Sequence, residues 1–185
     1  MVFANISYPE EFRPLSQQAS AEFLAGGAAF YEALAALEEA DFGAAATAAN
    51  AALDSLSNAT TSFSGLSKKI QARQDGWLGD ATRSINFHDA ARTVHLDPDS
   101  PLVKGLTSEL ANGNIHKLFD SLAQEIADFS KKLKGFADRA ADPNVIPDDE
   151  YRLAHELLRD WGVMIAQGQY ISSVCLAATT VKSNS

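Results

Sequence analysis

The chain has 185 residues, of which 46% are hydrophobic and 21% are charged, and this is the composition of a globular protein large enough for one domain with its own core. Its 24 acidic and 15 basic residues give a formal net charge of −9, which disfavours nucleic acid as a partner because phosphate backbones attract clustered lysine and arginine. Its single cysteine excludes an intramolecular disulfide, which favours a reducing compartment. Because residues 1–14 also do not resemble a signal peptide, we expect a cytoplasmic protein.

Two long helices are predicted in the first half of the chain, from apolar residues that recur at spacings of three and four. The first covers about residues 14–40, and Pro14 suits its first turn because proline has no N–H to leave unpaired there. The second covers about residues 42–74, and Asp41 before it can accept hydrogen bonds from the free N–H groups of the first turn. The predicted core positions are Phe23, Gly27, Phe30, Leu34 and Leu37 in the first helix and Phe42, Ala46, Ala49, Leu53, Leu56, Thr60 and Phe63 in the second.

Two further long helices are predicted in the second half, at about residues 114–141 and 147–181. Pro143 and Pro147 separate them, and the acids that follow Pro147 suit the positive end of a helix dipole. The predicted core positions are Ile115, Leu118, Leu122, Ile126, Phe129, Leu133 and Phe136 in the third helix and Ala154, Leu157, Leu158, Trp161, Met164, Ile165, Gly168, Ile171, Cys175 and Leu176 in the fourth.

The stretch between the second and third helices is long for a structureless connection inside a compact domain. We therefore expect a short helix at about residues 80–95 that lies across the bundle, and another at about 101–111, which Ser100 and Pro101 would begin. The sequence predicts a single all-α domain over residues 1–185, an elongated antiparallel four-helix bundle with one or two additional short helices.

Residues 161–181 carry no charge. They are long enough for a membrane span, but their glutamine, serine and threonine side chains would lack partners in lipid, so we expect no span. The second helix is similar, because Asp54 is its only charged residue between Phe42 and Ser67. We predict that residues 161–181 are buried.

Three arrangements could cover these uncharged faces. The helix expected at 80–95 could lie on them, a second copy could meet them across a two-fold axis, or a partner helix or an apolar ligand could occupy a groove between them. Gly26 and Gly27 in the first helix would allow a neighbouring backbone to approach closely. The sequence leaves all three arrangements open.

The histidines are candidate metal ligands. His88 and His95 are seven residues apart and would share a helix face, and His116 with Asp120 forms an i, i+4 pair. A di-iron bundle uses a Glu-x-x-His motif from each of two helices, and this sequence contains none. We therefore predict polar surface histidines and no metal, with a site at His88 and His95 as the alternative.

The segment RSINFH, from Arg83 to His88, resembles the Arg-x4–6-His motif of HEPN nucleases, which are small helical bundles. The resemblance implies an alternative function, RNA cleavage, in which Arg83 and His88 act on a phosphate and His88 transfers a proton beside the attacking 2′-hydroxyl.

No nucleophile elbow or glycine-rich phosphate loop is present, and Cys175 on an apolar stripe is typical of a small core residue. We therefore predict a non-catalytic binding or regulatory module without a cofactor. It would form a homodimer and bind a protein partner or an apolar small ligand, and Trp161, Met164, Tyr170 and Trp77 are the candidate ligand-binding residues. A metal-binding or ligand-sensing bundle is the second alternative to this function.

Overall fold

The computed structural model describes residues 12–84 and 115–183, with side chains from 12 to 72 and from 116 to 172. This part of the chain is an all-α bundle of four helices, as predicted. The helices are α1 (Arg13–Glu38), α2 (Phe42–Ser84), α3 (Ile115–Ala140) and α4 (Pro147–Ser183). None of the described helices is both long and apolar enough to cross a membrane.

Helix boundaries agree with the predicted ones to within two residues, except at the end of α2. That helix continues to Ser84, ten residues beyond the predicted end, and passes through Gly76 and Gly79. A glycine costs a helix interior only about 1 kcal/mol relative to alanine, which is too little to stop a helix that is already formed. The first residues of the helix expected at 80–95 therefore belong to α2; its remainder and the helix expected at 101–111 lie outside the described residues.

A tight turn joins α1 to α2. Ala40 adopts the left-handed backbone conformation with φ of 58°, and its N–H donates to the Leu37 carbonyl at 2.9 Å. The Asp41 carboxylate accepts a hydrogen bond from the Ala44 N–H at 2.9 Å, so the predicted N-cap of α2 is confirmed. The short turn makes α1 and α2 antiparallel neighbours.

Neighbouring helices around the bundle are antiparallel throughout. Residues 141–146 reverse the chain between α3 and α4. Between α2 and α3, Ser67 donates to the His116 carbonyl at 2.9 Å near one end, whereas Asn50 and Lys134 line the same groove near the other end. The order α1–α2–α3–α4 is thus an up-down-up-down bundle.

The core is centred on the indole of Trp161, which is only 2% exposed. Its ring centroid lies 4.7 Å from that of Phe23, 5.8 Å from Phe30 and 5.6 Å from Phe129. One aromatic cluster therefore connects α1, α3 and α4 across the middle of the bundle, and contacts of this kind add to the free energy of burial.

The two glycines of α1 let neighbouring helices pack closely against it. A β-carbon at Gly26 would lie 2.7 Å from the Leu56 side chain and 3.5 Å from the backbone oxygen of Ala52, so the α2 backbone approaches closely there, as predicted. A β-carbon at Gly27 would overlap the Trp161 ring, so this glycine makes room for a side chain of α4 rather than for a backbone.

The α1 and α4 backbones approach each other less closely than those of the other neighbouring helices. Side chains fill the space between them: the Trp161 ring packs on Gly27, and the Tyr151 hydroxyl donates to the Leu37 carbonyl at 3.0 Å. The surfaces of α1 and α4 that face away from the core consequently lie beside each other on one side of the bundle.

Candidate functional site

The candidate ligand-binding residues lie mostly in the core. Trp161 and Met164 are both buried, and Tyr170 is half-buried against the core cluster. Trp77 belongs to α2, where only the backbone is described. The structure therefore places Trp161 and Met164 inside the bundle.

The residues of the two catalytic and metal alternatives are not brought together in the described part of the chain. Arg83 is in the last turn of α2, with its side chain not described, and His88 and His95 lie outside the described residues. Of the other predicted pair, His116 is buried and Asp120 is exposed. Within residues 12–84 and 115–183, no three His, Cys, Asp or Glu side chains are grouped so as to hold a metal ion.

A surface groove of about 630 Å³ lies between α2 and α3 and is open to solvent. Two of its lysines already have carboxylate partners on their own helix: Lys131 lies 2.7 Å from Asp128, and Lys134 pairs with Asp138. The Lys131 hydrogen bond also lowers the pKa of Asp128. The charges of these two lysines are compensated locally, and the other charged side chain that lines the groove is the exposed carboxylate of Asp54.

The outer face of α2 is exposed and nearly uncharged, as the sequence indicated. Its hydroxyl groups bind the backbone of their own helix: Thr47 donates to the Gly43 carbonyl at 2.9 Å, and Thr61 donates to the Ser57 carbonyl at 3.1 Å. No large apolar side chain is exposed on the described part of this helix. Tight interfaces are anchored by large side chains, so this face lacks the residues that would carry affinity.

Residues 161–172 of the uncharged stretch are buried on one face. Trp161, Met164 and Ile171 pack into the core, while Gly162 and Ala166 are exposed. The prediction of burial therefore holds for one side of this part of the helix, and the side chains of residues 173–181 lie outside the described ones.

An exposed apolar surface runs along the shared side of α1 and α4. Leu24 is 64% exposed and Tyr31 is 52% exposed. Leu158 is 41% exposed, so its prediction as a core position was wrong. Small exposed residues lie between them. We call the whole set the α1/α4 face, and its members are Ala21, Leu24, Ala28, Tyr31 and Ala35 of α1 with Leu158, Gly162 and Ala166 of α4.

The helical repeat places these residues on one side of the molecule. Leu24 and Tyr31 lie one turn before and one turn after Gly27, which contacts the Trp161 ring. Leu158 and Gly162 follow Tyr151 by seven and eleven residues, and residues at these spacings share a face of a helix. Tyr151 and Gly27 both lie where α1 contacts α4. Leu24 and Tyr31 on α1 and Leu158 and Gly162 on α4 therefore lie beside this contact.

Two apolar stripes on α1 explain why this helix contributes to both the core and the surface. The inner stripe follows spacings of three and four and is buried: Ala19, Phe23, Gly26, Phe30, Ala33 and Leu37. The outer stripe follows the same spacing and is exposed: Ala21, Leu24, Ala28, Tyr31 and Ala35. A helix that is apolar on two sides has a second face that its own bundle does not cover.

Charged side chains lie within and beside the α1/α4 face. Glu32 is exposed and adjacent to Tyr31 on α1. On α4, the exposed Arg159 lies seven residues before Ala166 and so on the same side of the helix. Asp160 instead turns toward α3, where Lys132 lies 2.6 Å away and its hydrogen bond lowers the pKa of Asp160. A partner on this face would therefore meet charged as well as apolar side chains.

A second feature that the sequence did not reveal is a buried carboxylate at the α1/α2 turn end of the bundle. Glu150 is 1% exposed and accepts a hydrogen bond from Arg139 Nε at 2.7 Å, while its second oxygen has no protein partner. The sequence predicted Glu150 only as one of the acids in the first turn of α4. We assign it a role in joining α3 to α4.

Comparisons with known proteins do not assign a family. No protein-family model, curated protein sequence or solved structure matches the chain. The function proposed below therefore depends on the contacts and exposure of this chain's own residues.

Proposed function

We propose that the protein is a non-catalytic helical binding module that engages a protein partner through the α1/α4 face. The observation that supports this most directly is the exposure of Leu24, Tyr31 and Leu158 along one side of the bundle. Contiguous exposed apolar patches of this kind mark protein-interaction sites in water-soluble domains. The large side chains of leucine and tyrosine can insert into a partner, and the small residues between them leave space for side chains of that partner.

The proposal moves the predicted interaction surface from the second and fourth helices to the first and fourth. The α2 face has only small side chains whose hydroxyls bind their own helix, so a partner would gain little apolar burial there. The α1/α4 face offers large apolar groups beside small ones. Self-association, an apolar small ligand as an alternative partner and a cytoplasmic location remain parts of the proposal, as predicted from the sequence.

Photocrosslinking in the protein's native cells tests the proposed surface. A photoreactive phenylalanine would replace Leu24 in one variant and Thr61, an exposed residue of α2, in a matched control. We expect protein adducts at position 24 and few at position 61. The mass of each adduct then tells whether the partner is another copy of the 19.8 kDa chain or a different protein.

Two results would contradict the proposal. Equal adduct formation at positions 24 and 61 would mean that the α1/α4 face is not a preferred contact surface. RNA cleavage by the purified protein that the substitution His88→Ala abolishes, with the helical content preserved, would favour the nuclease alternative instead.

A further inference from the structure

We propose that the end of the bundle where α1 and α3 begin binds a ligand with two or more phosphate groups, through a set of unpaired cations. We call this set the cationic end, and its members, all exposed, are Arg13, Lys68, Lys69 and Lys117. The inference goes beyond the proposed function, because it concerns residues outside the α1/α4 face and a different class of ligand.

The four cations come from three helices but lie at one level of the bundle. A β-carbon on Gly65 would be 3.4 Å from the Leu15 side chain, so the first turn of α1 lies beside this part of α2. The Ser67 hydroxyl donates to the His116 carbonyl at 2.9 Å, so the first turn of α3 lies beside it as well. Each member of the cationic end is at most two residues from one of these contacts, which is about 3 Å along a helix.

The cationic end lacks the ion pairs that the other described cations form. Six further lysine and arginine side chains are described, and each forms an ion pair with a carboxylate: Lys131, Lys132, Lys134, Arg139, Arg152 and Arg159. Within the described part of the chain, no member of the cationic end forms an ion pair. Its charges are therefore free to interact with a ligand.

Helix dipoles do not account for these positions. Cations are stabilising at the C-terminal end of a helix, but Arg13 and Lys117 are in the first turns of α1 and α3, and neither first turn contains an acid. Lys68 and Lys69 lie inside α2, fifteen residues or more before its end. At the opposite end of the bundle, the first turn of α4 contains three acids and Asp41 caps α2. Acids thus compensate two of the helix N-termini, whereas cations surround the other two.

The described charge at this end is positive, although the chain has a formal net charge of −9. Within the first two turns of α1 and α3 and residues 60–72 of α2, the only acid is the exposed Asp120, so four cations and one acid give +3. Residues 167–172 of α4, which begin beside α3 at this level, carry no charge. Glu10 and Glu11 precede α1 and lie outside the described residues. A local excess of positive charge attracts anions even on an acidic protein.

Phosphate suits this end better than a single carboxylate. Backbone N–H groups at a helix N-terminus bind phosphate oxygens, and the N-cap residue of α1, Phe12, has no side-chain hydrogen bond to those of its helix. His116, in the first turn of α3, is 9% exposed, and its Nδ1 has no partner among the described residues. Each terminal phosphate carries about −1.5 to −2 charges at pH 7, so two or more phosphates match the charge of +3 and the two positive helix ends.

Isothermal titration calorimetry of the full chain with sodium triphosphate at low ionic strength is the first test. We expect binding that weakens as salt is added, because salt screens exposed charges. The double variant Lys68→Gln/Lys69→Gln should weaken binding by about 10-fold or more, because charge-assisted contacts to phosphate are lost. The control Lys131→Gln/Lys134→Gln removes the same two charges from ion-paired lysines and should change binding by less than about 2-fold. Circular dichroism checks that both variants keep their helices.

Vesicle cosedimentation distinguishes a lipid headgroup from a free ligand. The vesicles contain phosphatidylcholine with or without phosphatidylinositol bisphosphate. Sedimentation only with the phosphoinositide, and its loss in Lys68→Gln/Lys69→Gln, would assign the cationic end to a headgroup. Binding of triphosphate without sedimentation would assign it to a free ligand. Both outcomes support a phosphate site.

Three results would overturn the inference. If neither triphosphate nor the phosphoinositide binds, the end is not a phosphate site. If the two double variants lose equal affinity, overall charge attracts the anion and the cationic end does not. If a poly-glutamate peptide binds as tightly as triphosphate, the ligand class is wrong. None of these results affects crosslinking at Leu24, so the proposed function is tested separately.

Discussion

The most informative stability test of the bundle is the substitution Gly27→Ala. Alanine favours a helix interior by about 1 kcal/mol over glycine, so propensity alone predicts a more stable protein. The structure predicts the opposite, because the new methyl group would overlap the Trp161 ring. The ring is buried and its centroid lies 4.7 Å from that of Phe23 and 5.6 Å from that of Phe129, so a shift of the ring would disturb these contacts.

The magnitude follows from these two opposing effects. Forcing an extra carbon into a well-packed core costs about 1–3 kcal/mol, which exceeds the gain in helix propensity. We expect Gly27→Ala to lower the free energy of unfolding by up to about 2 kcal/mol, or the melting temperature by up to about 8 °C for a chain of this length. Denaturant titration at one fixed protein concentration measures the change, because self-association would also alter stability.

Gly135→Ala is the matched control. Gly135 lies inside α3, and no heavy atom is within 4 Å of the position its β-carbon would occupy, so only the gain in helix propensity should appear. In a Trp161→Phe background, the penalty of Gly27→Ala should become smaller, because the overlapping part of the indole is absent. If Gly27→Ala matches Gly135→Ala in stability, the packing of Trp161 on α1 is refuted.

Three further predictions concern charged side chains. Removing the N-cap of α2 by Asp41→Ala should lower the free energy of unfolding by about 1 kcal/mol, with Asp41→Ser retaining most of it in urea titration. Arg139→Ala should cost about 2 kcal/mol or more, because it leaves the buried carboxylate of Glu150 without its cation; if a second change, Glu150→Gln, does not recover part of the loss, the assignment is wrong. Lys132→Ala should cost up to about 1 kcal/mol at pH 7. Because the pKa of Asp160 is lowered in the folded state, this difference should vanish as the pH falls through that pKa, below about pH 4, and a difference that persists there would contradict it.

Much of the fold follows from the sequence because its determinants are local. The spacing of apolar residues predicts all four helices, and side chains adjacent in the chain set the start of α2: Asp41 accepts the Ala44 N–H. Periodicity also predicts most of the buried positions, including Phe30, Leu56 and Trp161. These features need no knowledge of which helices are neighbours.

The end of α2 was predicted less well, for a reason that is also local. The helix ends at Ser84 and not near residue 74, and the extension includes Gly76 and Gly79, each of which weakens a helix by only about 1 kcal/mol. A helix that continues from a stable, packed segment tolerates this cost. The composition of a segment is therefore a weaker indicator of where a helix ends than a proline or a capping residue.

The candidate site was less accessible to sequence analysis, because two stripes of α1 have the same spacing. The periodicity that places Phe23 and Phe30 on one stripe places Leu24 and Tyr31 on another, and both stripes are apolar. The sequence analysis predicted the stripe of Phe23 and Phe30 as core, and their burial confirms it. That the other stripe stays exposed beside α4, rather than being covered by a further helix, is seen only in the structure.

The four helices, the N-cap of α2 and the inner stripe of α1 follow from the sequence alone, since they depend on residues within a few positions of one another. The structure adds that the outer stripe of α1 stays exposed, that Gly26 and Gly27 accommodate Leu56 and Trp161, and that Glu150 is buried beside Arg139. These features depend on partners far away in the chain, and a helical repeat specifies the direction of a side chain but not the neighbour that it meets.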